Sequence, residues 1–177
     1  IEVTDCDLDS ACQCIRMGCP SDDTIRHARF VNLKMSGNNG VQCGLPAHYV
    51  APWDEGCAVI EDIVFENCTI DAKWHAICFY ADPGVKARSF GNVTFRNVTL
   101  RSEFPIMLKG TADAPLVNLR FENVKGFVAA KNPFDMVGVE GIVFDRVELS
   151  SGKGQHVPFE RPPSTSWESL RWPFVPR

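Results

Sequence analysis

The stretch Val93-Thr-Phe-Arg-Asn-Val-Thr-Leu100 decides the fold, because its grammar recurs along the chain: apolar, any, Phe, any, Asn, apolar, any, apolar. Upstream it returns as Ile63-Val-Phe-Glu-Asn-Cys-Thr-Ile70, Ala28-Arg-Phe-Val-Asn-Leu-Lys-Met35 and Ile1-Glu-Val-Thr-Asp-Cys-Asp-Leu8. Downstream it returns as Leu119-Arg-Phe-Glu-Asn-Val-Lys-Gly126 and Ile142-Val-Phe-Asp-Arg-Val-Glu-Leu149. The distances between successive starts are 27, 35, 30, 26 and 23 residues. A fixed motif at irregular spacing means constant strands joined by loops of variable length.

Within each copy, apolar residues alternate at positions 1 and 3 and again at 6 and 8, so the phase slips by one residue in the middle. Both halves can face one interior only if the chain bends at that point. The fifth position is Asn32, Asn67, Asn97 or Asn123 in four copies, and Asp5 or Arg146 in the others. Asn tolerates the left-handed conformation of a sharp bend at lower cost than other non-Gly residues. Stacked copies would align Phe30, Phe65, Phe95, Phe121 and Phe144 in one internal ladder, with Val3 ahead of them.

A further short apolar run follows the first four copies: Cys14-Ile-Arg-Met17, Gly40-Val-Gln-Cys43, Ala76-Ile-Cys-Phe-Tyr80 and Pro105-Ile-Met-Leu-Lys109. Phe127-Val-Ala-Ala-Lys131 is the corresponding run expected after the fifth. Each unit is then strand, bend, strand, turn, strand, loop. One unit cannot bury its own inner face, but stacked units can. The chain therefore reads as all-β: a right-handed parallel β-helix of about six coils over 1–149, with an irregular capping tail over 150–177. The tail carries Pro158, Pro162, Pro163, Pro173 and Pro176, with Phe159, Trp167, Trp172 and Phe174 between them. Prolines at that density forbid another coil, and the aromatic rings need apolar surface to cover. No long window sustains the i, i+3, i+4 pattern of a helix.

Composition bounds the function. The chain has 177 residues, 45% hydrophobic and 23% charged, with a net charge of −4 and a pI near 5.6. That acidic balance argues against nucleic acid as a partner, and no run of roughly 20 apolar residues suits a membrane span. Eight cysteines, from Cys6 to Cys78, contain no C-x2-C pair of the usual zinc spacing. No Gly-rich phosphate loop or other cofactor motif occurs, so no cofactor is expected. Asn67-Cys-Thr69, Asn92-Val-Thr94 and Asn97-Val-Thr99 match the glycosylation sequon, but two of these asparagines are bend residues of the repeat.

Phe95-Arg-Asn-Val-Thr-Leu100 followed by Arg101-Ser-Glu-Phe-Pro-Ile106, with Cys12-Gln-Cys-Ile-Arg-Met-Gly18 ahead of a Cys-Pro loop, resembles the polygalacturonase-like glycoside hydrolases of family 28. The resemblance covers about residues 1–126. It implies secreted hydrolysis of pectic polysaccharide with inversion, which needs one carboxylic acid to protonate the leaving oxygen and a second carboxylate to activate water. The family's Gly-Asp-Asp falls on Ala11-Cys12-Gln13, its Gly-His-Gly on Gly37-Asn38-Asn39, and its Arg-Ile-Lys on Cys78-Phe79-Tyr80. Its Asn-Thr-Asp would lie one coil before Ile1. The acid pair, the His and both cations are therefore replaced, and loss of the cations weakens the case for a galacturonate substrate.

The face that remains is still suited to sugars. Outward residues there are Arg16, Gln42, Tyr80 and Lys109, with Asn38, Asn39, Trp74 and His75 at the turn; these are the expected substrate-binding set around an extended polysaccharide or oligosaccharide. Asp9, the carboxylate nearest the altered pair, and His75 are the candidate catalytic groups; Glu103 and the Asp22-Asp23 pair are outlying carboxylates. Two functions follow. One is part of an extracellular or periplasmic polysaccharide-degrading glycoside hydrolase. The other is a non-catalytic polysaccharide-binding module, of the kind found in adhesins and tailspikes. A first coil starting at Ile1 would expose strand edges, so further N-terminal coils or a partner are expected to cover it.

Overall fold

Val3, Phe30, Phe65, Phe95, Phe121 and Phe144 stand in strict register on consecutive parallel strands. The computed structural model describes residues 1–19 and 22–152. The first coil holds β1 (Glu2–Thr4) and β2 (Asp7–Gly18), and the second β3 (Thr24–Val31) and β4 (Lys34–Leu45). The third holds β5 (Val59–Glu66), β6 (Thr69–His75) and β7 (Ile77–Ala81). The fourth holds β8 (Ser89–Phe104) and β9 (Ile106–Lys109), and the fifth β10 (Leu116–Val128) and β11 (Phe134–Val137). The last holds β12 (Val139–Glu140) and β13 (Val143–Ser151). Every pairing among the described residues is parallel and joins one coil to the next. The architecture is a parallel β-helix.

Three sheets run the length of the rod. The first is built from β1, β3, β5 and the leading halves of β8, β10 and β13, with β12 beside the start of β10; the second uses β2, β4, β6 and the trailing halves of β8, β10 and β13. The third joins the ends of β2 and β4 to β7, β9 and β11. The phenylalanines stack with ring centroids 4.7, 4.9, 5.2 and 5.5 Å apart, and the ladder is internal from Phe30 to Phe121, whereas Phe144 on the last coil, expected inside, is 43% exposed. Those distances follow the ~4.8 Å strand spacing, so in-register strands bring the rings to stacking distance. Phe79 closes the interior from the third sheet, meeting Phe95 edge-on at 6.0 Å.

The bend between the first two sheets sits where the phase slips. Asp5, Asn32, Asn67, Asn97, Asn123 and Arg146 all have φ between 52° and 56°. The side chains also pair along the rod: Asn32 Nδ2 donates to Asp5 Oδ1 at 2.9 Å, and Asn67 to Asn32 at 3.2 Å. Asn97 donates to Asn67 at 3.0 Å and Asn123 to Asn97 at 2.8 Å. The sequon asparagines Asn67 and Asn97 thus have their amides engaged in this ladder.

Three features depart from the sequence expectation. A second left-handed row, His27, Asp62, Asn92 and Asn118 with Gly141, lies one residue before each motif and bends the first sheet again. Phe127-Val128 does not start the third sheet of the fifth coil. These residues extend β10 in the second sheet beside Arg101 and Ser102, and β11, starting at Phe134, is the third-sheet strand. Finally, Gly126 replaces the apolar residue at position 8 because a Cβ there, at φ +152°, would lie 1.8 Å from the Leu100 carbonyl oxygen. The capping role expected of the tail concerns residues 153–177, which lie outside the described residues.

Candidate functional site

Outward side chains differ sharply between the three sheets. On the first, Glu66 and Glu122 are bridged by guanidinium groups: Arg29 to Glu66 at 3.2 Å, Arg96 to Glu66 at 3.6 Å and to Glu122 at 2.6 Å, and Arg120 to Glu122 at 2.8 Å. The two arginines hold the Glu122 carboxyl below the usual glutamate range. This face is a closed network of charge. The second sheet carries looser pairs, Lys34 with Asp7 and Lys125 with Glu148, each at 3.8 Å. A depression of about 310 Å³ lies there beside Asp7, Asp9, Lys34, Ser36 and Asp71.

The third sheet gathers the sugar-binding candidates. Arg16, Gln42, Cys78 and Met107 form one lateral row, and Gly18, Gly44, Tyr80 and Lys109 the row two residues on. Alternation puts Met17, Cys43, Phe79 and Leu108 inside, and all four are buried. Lys109 Nζ pairs with Asp135 Oδ2 at 2.8 Å. Arg16 Nη2 lies 3.4 Å from Cys19 Sγ, with the Tyr49 side chain close by. Burial pushes the Cys78 thiol up to about 12, although the nearby Lys109 charge opposes the shift. Burial also raises Tyr80, with the neighbouring Cys78 and Asp82 adding to the effect.

The turn into this sheet is a hydrogen-bonded corner. Asn39 is only 6% exposed. Its Oδ1 accepts from the His75 backbone N–H at 3.1 Å, and its Nδ2 donates to Gln42 Oε1 at 3.2 Å. Asn38 Nδ2 donates to the Ala11 carbonyl at 2.5 Å. His75 Nδ1 sits 2.6 Å from the Pro105 carbonyl, with its ring 5.4 Å from Phe104. Trp74 and Phe104 are 43% and 46% exposed, so an aromatic ridge stands along the corner.

The structure therefore brings Asn38, Asn39, Gln42, His75 and Tyr80 into one neighbourhood, with Arg16 and Lys109 on the same sheet face. The segments Ala11–Gln13, Gly37–Asn39 and Cys78–Tyr80, separated by tens of residues in sequence, converge there. Asn39 braces the corner instead of facing outward. Asp9 falls elsewhere: it is exposed on the second sheet beside Ser36, while His75 pairs with Phe104 two coils on. The two candidate catalytic groups do not meet. Cys12, in the acid-pair position, is exposed, and its thiol donates to Gln13 Oε1 at 2.8 Å. Glu103 lies beside the Trp74–Phe104 ridge, and Asp22 ties down the loop after β4 by accepting from the Glu55 and Cys57 backbones at 2.9 and 2.7 Å.

Sequence reasoning missed Tyr49, which flanks Arg16 from the loop after β4; the only signal was the aromatic cluster His48, Tyr49 and Trp53 in a loop longer than its counterparts. All eight cysteines are free thiols. Among the described residues no group of three or more His, Cys, Asp or Glu side chains could hold a metal, and no helix is long and apolar enough to cross a membrane. No family model, curated protein or solved structure matches this chain.

Proposed function

We propose that this β-helix binds polysaccharide, laying an extended saccharide across the strands of the third sheet. The observation that carries the reading is the presentation of Arg16, Gln42, Tyr80 and Lys109 on one face of four successive strands, two to a row. The ~4.8 Å strand spacing is close to the length of one sugar ring, so successive residues of a chain along the rod would meet equivalent positions. A guanidinium, an amide and an aromatic ring supply hydroxyl donors, acceptors and a flat apolar surface. The first sheet offers much less, because its arginines and glutamates already satisfy one another. Extracellular or periplasmic residence belongs to the same proposal, since that is where such polymers are met.

One observation favours a second reading, a glycoside hydrolase. The positions where the family resemblance would place an active site converge at the head of the third sheet. They carry Cys12, Gln13, Asn38 and Asn39, however, and none of these can act as a carboxylic acid or its conjugate base. Hydrolysis would then need carboxylates from elsewhere, Asp9 included. Affinity electrophoresis of the whole chain in gels containing soluble polysaccharides tests the binding reading: retardation by at least one polymer supports it, and free migration through all of them contradicts it. Reducing-sugar release from the same polymers, abolished by Asp9→Ala, would move the assignment to the hydrolase.

A further inference from the structure

The Tyr80 side chain does not stand up from its sheet. It reaches across the neighbouring strand and covers Gly44: a Cβ there would lie 2.6 Å from Tyr80 Cε1, 2.7 Å from Cζ and 2.9 Å from the hydroxyl. Gly18 occupies the same row one coil earlier, where a Cβ would come within 2.3 Å of the Gly44 carbonyl oxygen. The missing side chain at Gly44 makes room for the ring, which rests with one side against backbone, while Gly18 lets the two neighbouring backbones approach closely.

Gln42 lies beside the Tyr80 hydroxyl, and its Oε1 accepts from the Asn39 amide. Asn39 is itself held by the His75 backbone. The Gly44 backbone beneath the ring and the braced Gln42 beside it therefore hold a half-buried aromatic ring in place before any ligand arrives. Fixed aromatic surface of this kind costs little conformational entropy on binding. Beside it the Lys109 ammonium is paired with Asp135, the Asp82 carboxylate accepts from the Ala47 backbone N–H, and the Arg16 guanidinium stands close enough for its charge to act on the Tyr80 hydroxyl.

Resting on the polysaccharide reading above, we infer that Tyr80 is a stacking platform for the apolar face of a pyranose, with Gln42 at its rim to meet a ring hydroxyl. A flat ring rewards the C–H surface of a sugar, and the Arg16 charge beside it is compatible with neutral and acidic sugars alike, so the platform selects a ring face and not a charge.

Isothermal titration of the whole chain tests this, with cellohexaose, mannohexaose, galactohexaose and xylohexaose as uncharged probes and hexagalacturonate as the charged one. The expected result is binding of at least one of the five hexaoses. Tyr80→Ala is expected to weaken that binding tenfold or more and Tyr80→Phe less than threefold, while Gly44→Ala, which lifts the ring, weakens it with the β circular dichroism unchanged. If a hexaose binds but Tyr80→Ala changes its affinity less than twofold, the platform is wrong and the polysaccharide reading survives. No binding of any of the five by the folded chain contradicts both.

Discussion

Asn97 donates its side-chain amide to Oδ1 of Asn67 at 3.0 Å, and both residues sit in the left-handed region, at φ 53° and 55°. The pair combines what the bend needs: a backbone conformation few residues tolerate, and a side chain able to give and receive a hydrogen bond along the rod. Asn97 also accepts from Asn123 at 2.8 Å, so it has a neighbour on each side. Asn97→Ala loses both bonds and places a Cβ in the left-handed region without compensation, which is expected to cost about 2–3 kcal/mol. Asn97→Gly relieves the backbone and should cost about 1 kcal/mol less than the Ala variant. Urea unfolding of the two variants checks the order; equal losses would mean that the backbone conformation is not part of the cost.

Arg146 stands where the ladder would place a further Asn, and it pairs instead with the adjacent Asp145 at 3.2 Å on the surface. Arg146→Asn keeps a residue that favours φ near 53° and offers an amide to Asn123. A gain of roughly 0.5–1 kcal/mol is expected. Thermal melting of the variant reads it as a raised Tm.

Phe95 is fully buried between Phe65 and Phe121, at 4.9 and 5.2 Å. Removing the ring leaves a cavity in the middle of the stack that neighbouring coils cannot close without losing register. Phe95→Ala is expected to cost ~3–5 kcal/mol. A loss under about 1 kcal/mol, well short of the cost of emptying a large core site, would mean that the ladder does not hold the coils together.

Glu122 contributes to the acid limb of the stability profile. Its folded carboxyl titrates below the usual value because Arg96 and Arg120 hydrogen-bond its charged form. The unfolded chain therefore takes up this proton first as pH falls. The stabilisation is complete above the ordinary glutamate value of about 4.3 and is lost as pH drops through the lower, folded value. Tm is expected to fall below about pH 4, and Glu122→Gln should shrink that fall while lowering Tm at neutral pH.

Thiol labelling separates the cysteines. Cys12 is exposed, whereas Cys43 and Cys78 are 0% and 3% exposed, with Cys78 raised to about 12 by burial and Cys43 pushed up further. The thiolate is the reactive form. Iodoacetamide at mild alkaline pH is expected to modify Cys12 first and to leave Cys43 and Cys78 unmodified until denaturant is added; peptide mapping by mass spectrometry reads the order.

How far the sequence carried the reading depends on which physical constraint wrote the pattern. The Phe and Asn rows were legible because every coil must solve the same two problems, filling the interior and bending at one residue, and it solves them with the same residue types. The second bend escaped because His27, Asp62, Asn92, Asn118 and Gly141 share a conformation but not a side-chain type. The misplaced third strand of the fifth coil has a similar cause. Phe127-Val128 is apolar because it finishes the second sheet, and periodicity alone does not mark which sheet a strand end belongs to. At the site, alternation correctly placed Arg16, Gln42, Tyr80 and Lys109 on one outer face. It could not show that Asn39 turns inward or that Asp9 is separated from His75, because both depend on the geometry of a corner that has no repeating sequence rule.

The most direct test of the central claim is affinity electrophoresis of the whole chain beside the Arg16→Ala/Gln42→Ala/Tyr80→Ala triple variant, with matched β circular dichroism, in gels containing soluble glucan, mannan, galactan, xylan or galacturonan. The third-sheet reading predicts that at least one polymer retards the parent chain and that the triple variant runs as if the polymer were absent. Equal retardation of the two proteins, or none for the parent in any gel, contradicts it.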